Sequence, residues 1–214
     1  MDWRATPYTP TKYRFTQRVA AALAYVGLWH FDRIRISPIA QGEWPAFGPV
    51  QGRTQVPGLI AYLEDCRAGG DPTVAERLGM FAHREPTPGM LFILSDLLTD
   101  DLDLLMTQCK TLRSKGWEIA LIHVVDPAEL SPELMFADDD RSQPTTLIDC
   151  ESGERVMVLP SPASIQRYSH AVRAWLDDLT ARCRAHGITY VRIATDQPVE
   201  TAVLRLLNEE GLLK

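Results

Sequence analysis

The residues best placed to do chemistry are carboxylates at the ends of apolar runs. Asp96 closes the run MLFILS and Asp126 closes EIALIHVV. In an open parallel sheet, ligands and ions bind in the crevice beyond the carboxyl ends of the strands. Two acids at adjacent strand ends can bind magnesium and position a water for hydrolysis or phosphoryl transfer. Each also has a structural role open to it. Asp96 can cap the turn and helix that follow it, and Asp126, before Pro127, can shape a turn. Thr73 forms a T-x-x-E capping box with Glu76 in GGDPTVAERL, and Asp71 before Pro72 is an equally good cap.

Other reactive residue types point away from catalysis. Ser95 lacks a surrounding G-x-S-x-G, so turn chemistry explains it better than nucleophilic attack. His123 falls inside an apolar strand, where a hydrogen-bonded core histidine is expected. None of the five histidines forms H-x-x-H or H-E-x-x-H, and Cys66, Cys109, Cys150 and Cys183 show no ligand spacing, which disfavours zinc. The cysteines read as reduced thiols of a cytoplasmic protein. Asp100, Asp101 and Asp103 fall in the first turn of a helix, where negative charge complements the helix dipole. Asp138–Asp139–Asp140 reads as a solvated loop, or a docking feature for a basic partner.

Bulk properties set limits. With 22 basic and 28 acidic residues the formal charge is −6, and no basic block or basic–aromatic interleaving exists, so a nucleic-acid role is not expected. The least charged run, Val19 to Phe31, is too short to cross a bilayer. A length of 214 residues and 45% hydrophobic content suit one large domain with a sizeable core.

The elements that must position the acids follow from periodicity. Residues 1–11 read as an irregular arm, and residues 12–214 as one domain. Phe15, Val19, Leu23 and Val26 share a stripe on a helix over Lys12–Trp29. RIRISPI is a short strand, paired as a hairpin with EWPAFGPVQG. Helices over Thr54–Arg67 and Pro72–Arg84 precede the buried strand Met90–Leu94, a helix over Thr99–Gly116, and the buried strand Glu118–Val125. Pro127–Pro144 reads as loop. A hairpin insertion near 145–159 turns at Ser152–Gly153. Then come a helix over Ser161–His186, the strand ITYVRIA, and a helix over Pro198–Glu210. Helices alternating with buried strands imply an α/β, three-layer Rossmann-like sandwich with a mostly parallel sheet.

Several segments resemble the von Willebrand factor A-like domain of the bacterial domain-of-unknown-function family number fifty-eight. They are VAAALAYVGLWHFDRIRI, LFILSDLLTDDLDLLMTQCKTLRSKGWEIALIHVVDPAEL, LIDCESGERVMVLP and YSHAVRAWLDDLTARCRAHGITYVRIATDQPVETAVLRLL. The block ending in VVDPAEL, followed by the acidic hairpin, is the most specific part. The resemblance implies sheet order 3-2-1-4-5-6 and a metal-ion-dependent adhesion site holding Mg2+ at the sheet top. Its ligands would be a D-x-S-x-S after the first strand, a loop Thr and an Asp after the fourth strand. Asp96 matches that last Asp. Thr73 lies near the place of the Thr with altered spacing, and Asp71 could substitute as an oxygen ligand.

No D-x-S-x-S precedes the helix, since the first serine is Ser37, and residues 1–11 hold no apolar run. The resemblance therefore implies that the first, central strand is missing from the chain, which starts late, and that the adhesion site is incomplete. Arg33–Ile39 and Met90–Leu94 would each lose a strand neighbour, and exposed edges invite self-association.

Two functions follow as expectations. The first is a non-enzymatic protein-interaction module, partner of a MoxR-type AAA+ ATPase in assembly or maturation of other complexes. It would have no cofactor, with Mg2+ bound only if the upstream motif exists. The alternative is a magnesium-dependent hydrolase or phosphoryl-transfer enzyme using Asp96 and Asp126.

Overall fold

The computed structural model describes residues 8–39, 45–67, 73–98, 101–131, 144–148 and 154–209. The candidate ligand Asp71, the acidic run Asp138–Asp139–Asp140, Cys150 and the expected turn at Ser152–Gly153 lie outside them.

Helix α1 spans Lys12–Trp29, and the Thr11 hydroxyl caps it by accepting the Arg14 amide at 3.2 Å. A hairpin follows, β1 (Arg33–Ile36) antiparallel to β2 (Phe47–Gln51). Next come α2 (Val56–Asp65), α3 (Val74–Arg84), β3 (Met90–Ser95), α4 (Leu102–Ser114) and β4 (Glu118–Val125). Helix α5 (Pro127–Leu130) stands where loop was expected. The reason is local: Asp126 and Glu129 form a capping box around Pro127, which is preset for a first helical turn. A second hairpin, β5 (Thr145–Ile148) with β6 (Arg155–Val158), precedes α6 (Pro162–Ala185), β7 (Thr189–Ala194) and α7 (Val199–Glu209).

The described strands form an all-parallel sheet, order β3-β4-β7, and two separate hairpins. Period-two alternation along the central strand builds two cores. Ile119 and Leu121 of β4 face α3, α4 and α6, packing with Leu78, Leu105, Cys109, Leu112, Leu179 and Cys183. Ile122 and Val124 face the other way, onto Phe15, Val19 and Leu23 of α1 and Ala202, Val203 and Leu206 of α7. Helices thus cover both faces of a parallel sheet, an arrangement compatible with a Rossmann-like fold. Leu105, Leu112, Leu121 and Leu179 are fully buried, and each such burial stabilises the fold by roughly 1.5–3 kcal/mol.

Helix α1 serves two bodies at once. Its Ala24 and Leu28 leave the sheet and pack with Leu59 and Leu63 of α2 and with the β1–β2 hairpin. Gly27 permits the approach: a Cβ there would meet Ile34 Cδ1 at 2.6 Å. Strands β1 and β3, the two expected to flank a central strand, are not paired with each other among the described residues. The edge position of β3 shows in its burial. Every β4 residue from Ile119 to Val125 is buried, whereas Met90, Leu91, Phe92 and Leu94 are only half-buried.

Candidate site at the carboxyl end of the parallel sheet

Three consecutive strands end on a polar residue. Asp96 follows β3, Asp126 follows β4 and Thr195 follows β7, and all three are buried. The β3 end is turned sharply. Ser95 Oγ accepts the Leu97 amide at 3.1 Å, and buried Leu97 sits in the left-handed region at φ 57°. A branched residue adopts that conformation only where its surroundings enforce it. The β7 end is stitched to β4, with the Thr195 amide donating to Val125 O at 3.0 Å.

A lysine closes the group. Lys12, first residue of α1, is 2% exposed. Its Nζ lies 2.9 Å from Asp96 Oδ2 and donates to Glu129 Oε1 at 2.5 Å. Glu129 therefore does two jobs, because its Oε2 accepts the Asp126 amide at 2.9 Å within the capping box. Asp126 is engaged on both oxygens: Oδ1 accepts the Ala128 amide at 3.0 Å, and Oδ2 accepts the Thr195 hydroxyl at 3.4 Å. Tyr168 of α6 donates its hydroxyl to the Glu129 carbonyl at 3.0 Å.

The electrostatics keep Lys12 charged. Burial alone would pull its pKa down, but Asp96 and Glu129 outweigh burial and leave it above the ordinary lysine value. The ammonium also sits at the positive end of the α1 dipole, an unfavourable place for a cation. Attraction to the two carboxylates overcomes that field.

His123 lies beneath Asp96. Burial pushes its pKa down to about 4, so the imidazole is neutral near pH 7. A carbonyl can only accept, so Nε2–H donates to the Asp96 carbonyl, 3.1 Å away. Nδ1 then accepts the Tyr190 hydroxyl at 2.8 Å, and Trp175 meets the ring edge-on at 5.3 Å. Both ring nitrogens are held by structural partners. Burial likewise raises the thiols of Cys109, to about 12, and Cys183, to about 11, far above the range of a reactive thiolate.

Of the residues singled out from sequence, Asp96 and Asp126 come to the same sheet end. Thr73 is engaged elsewhere, at the start of α3. Its hydroxyl accepts the Glu76 amide at 3.2 Å, and its own amide donates to the Glu76 carboxylate, completing the box that caps α3. Asp96 faces an ammonium, Thr73 caps a helix, and no group of three or more His, Cys, Asp or Glu placed to hold a metal exists among the described residues. An open groove of about 690 Å³ between α3 and α4, lined by Glu76, Arg77, Met80, His83, Leu104 and Gln108, shares no residue with the strand-end cluster.

Sequence reasoning missed Lys12 and Glu129. Two signals were present: a lysine at the first helical position, where a cation opposes the dipole, and D-x-x-E at 126–129. Neither reveals that the two meet. No helix among the described residues is long and apolar enough to cross a membrane. Comparison of the chain with protein-family models, curated proteins and solved structures finds no match.

Proposed function

We propose that the chain is a non-enzymatic, cytoplasmic protein-interaction module of the von Willebrand factor A-like type. Its partner is a MoxR-type AAA+ ATPase acting in assembly or maturation of other complexes. The family and partner rest on the resemblance of the quoted segments. The observation that carries the non-enzymatic reading is the engagement of Asp96, Asp126 and the neighbouring Glu129. Asp96 is held by Lys12, Asp126 by the Ala128 amide and Thr195, and Glu129 by Lys12 and the Asp126 amide. General acid–base work needs a group positioned against the proton it moves. Nucleophilic work needs an activated hydroxyl, thiol or carboxylate. The hydrolase alternative would have to break this network to free Asp96 and Asp126.

On this reading the sheet end and the helical faces act as a preformed contact surface, and recognition does not depend on magnesium. The β3 edge, unpaired among the described residues, is a candidate for self-association, which light scattering of the purified chain would reveal as dimers or larger species. The test of function is capture of a co-encoded MoxR-type ATPase by the tagged chain, with and without EDTA. Equal capture under both conditions is expected. Failure to capture under both would remove the partner. Phosphatase or esterase turnover in magnesium or manganese that Asp96→Asn abolishes would reverse the choice between module and enzyme.

A further inference from the structure

We propose that Lys12 is the resident cation of the sheet's carboxyl end: its ammonium fills the space between the Asp96 and Glu129 carboxylates and closes that space to divalent ions. This inference concerns the site itself and stands independently of the partner reading above.

The location is the first argument. The crevice beyond parallel strand ends is where this kind of sheet receives ions and ligands, and here it holds a side chain of the same molecule. The contacts are the second. Carboxylate oxygens from two elements, the β3 end and α5, approach one nitrogen at 2.9 and 2.5 Å, while Lys12 is 2% exposed. A buried ammonium with two carboxylate partners is held as a cation is held, by oxygens converging from separate directions.

The cost of placing it there is the third argument. A lysine at the first position of α1 opposes the helix dipole, and its burial is unfavourable to charge. Only the two acids compensate, so the acids and the ammonium form one unit. The fourth is balance. Without the lysine, two carboxylates would face each other in a largely water-excluded space. Such pairs either take up a proton or recruit a metal ion. A tethered ammonium prevents both, at the expense of the six-oxygen coordination that magnesium requires.

Removing the ammonium should therefore uncover a divalent-cation site. The probe is Mn2+, followed by its electron paramagnetic resonance signal and by calorimetry on the full chain. The proteins compared are wild type, Lys12→Ala, Lys12→Gln, and Lys12→Ala combined with Asp96→Asn. The expected result is no saturable Mn2+ binding by wild type, and a melting temperature unchanged by millimolar Mg2+ or by EDTA. Lys12→Ala gains one Mn2+ per chain together with a metal-dependent rise in melting temperature. Lys12→Gln, whose amide keeps the space filled, gains much less, and the double variant gains none.

Two results would overturn the proposal: saturable Mn2+ binding by wild type that a further variant, Asp96→Asn alone, abolishes, or a folded Lys12→Ala that binds no Mn2+. Should Lys12→Ala fail to fold alone, refolding in Mn2+ becomes the readout. Recovery in Mn2+ but not in EDTA supports the proposal, and failure in both overturns it.

Discussion

Lys12 and Glu129 are 117 positions apart in the chain and 2.5 Å apart in space. That contact joins the start of α1 to the turn that leaves β4, and Asp96 completes it from the end of β3. The polar end of the sheet is thereby fastened by charge, while its two faces are fastened by apolar packing.

Breaking the ion group should be costly, because the partner left behind is buried and charged. Asp96→Ala is expected to lower the unfolding free energy by about 3–5 kcal/mol, measured by urea titration. Replacing the pair together, with Lys12→Met and Asp96→Leu, should cost less than the sum of the Lys12→Met and Asp96→Leu single changes, since the Asp96 carboxylate is then not left buried without its ammonium and only Glu129 loses a charged partner. Additive effects would show that the two side chains do not interact.

The same group gives an alkaline limb. The folded-state pKa of Lys12 is raised above its ordinary 10.5. Its contribution is therefore fully present below pH 10.5 and is lost as pH rises through the higher folded value. Wild type should lose more stability than Lys12→Met in that window. Parallel curves for the two proteins would contradict this. The comparison with Lys12→Met is needed because Tyr168 and Tyr190 are also shifted upward.

His123 produces an acid limb with the opposite sign. Its folded pKa is depressed to about 4 from 6.5. Between those values the unfolded chain binds more protons, so stability falls as pH falls from 6.5 toward 4. At roughly 1.4 kcal/mol per unit the loss approaches about 3 kcal/mol. Denaturation of wild type and His123→Gln at pH 7 and pH 4.5 measures it. The variant should be less stable at pH 7 but show a smaller drop on acidification.

Position decides what an apolar truncation does. Leu121→Ala removes a side chain packed against α3, α4 and α6 and should cost about 2–5 kcal/mol. Met157 on β6 is 74% exposed, so Met157→Ala should change stability by no more than about 0.5 kcal/mol. Paired thermal melts would separate the two.

Thiol chemistry should follow burial. Cys66, Cys109 and Cys183 are buried and in no disulfide, so an aromatic disulfide reagent should leave all three unmodified in the native protein and modify them in guanidinium. Rapid native labelling of Cys109 or Cys183 would contradict their packing between α4, α6 and the sheet.

Much of the architecture was legible because it is written in short-range pattern. EIALIHVV reads as a strand covered on both faces, and β4 is such a strand. The Phe15, Val19 and Leu23 stripe names the face of α1 that meets the sheet. T-x-x-E at Thr73 and Glu76 foretells the cap of α3. The site was legible only in halves. Asp96 and Asp126 were visible as strand-end acids, but their partners come from elsewhere in the chain. Periodicity cannot show that Lys12 reaches across the sheet end, because the lysine's helix is oriented by apolar contacts far from its own position. Helix α5 escaped notice for another reason: at four residues it has no periodicity to read, only its capping box.

The double attachment of α1 has a mechanical corollary. Eighteen helical residues make a stiff strut about 27 Å long. One end carries the ammonium gripped by the acids, and the other lies against Ile34 through Gly27. A pull on the β1–β2 ribbon would therefore be delivered along the rod to the far anchor, with no intervening hinge. Amide exchange offers a direct look: cutting the anchor with Lys12→Met should quicken deuterium uptake in β1 and β2, and unchanged uptake there would mean that the rod's two ends move independently.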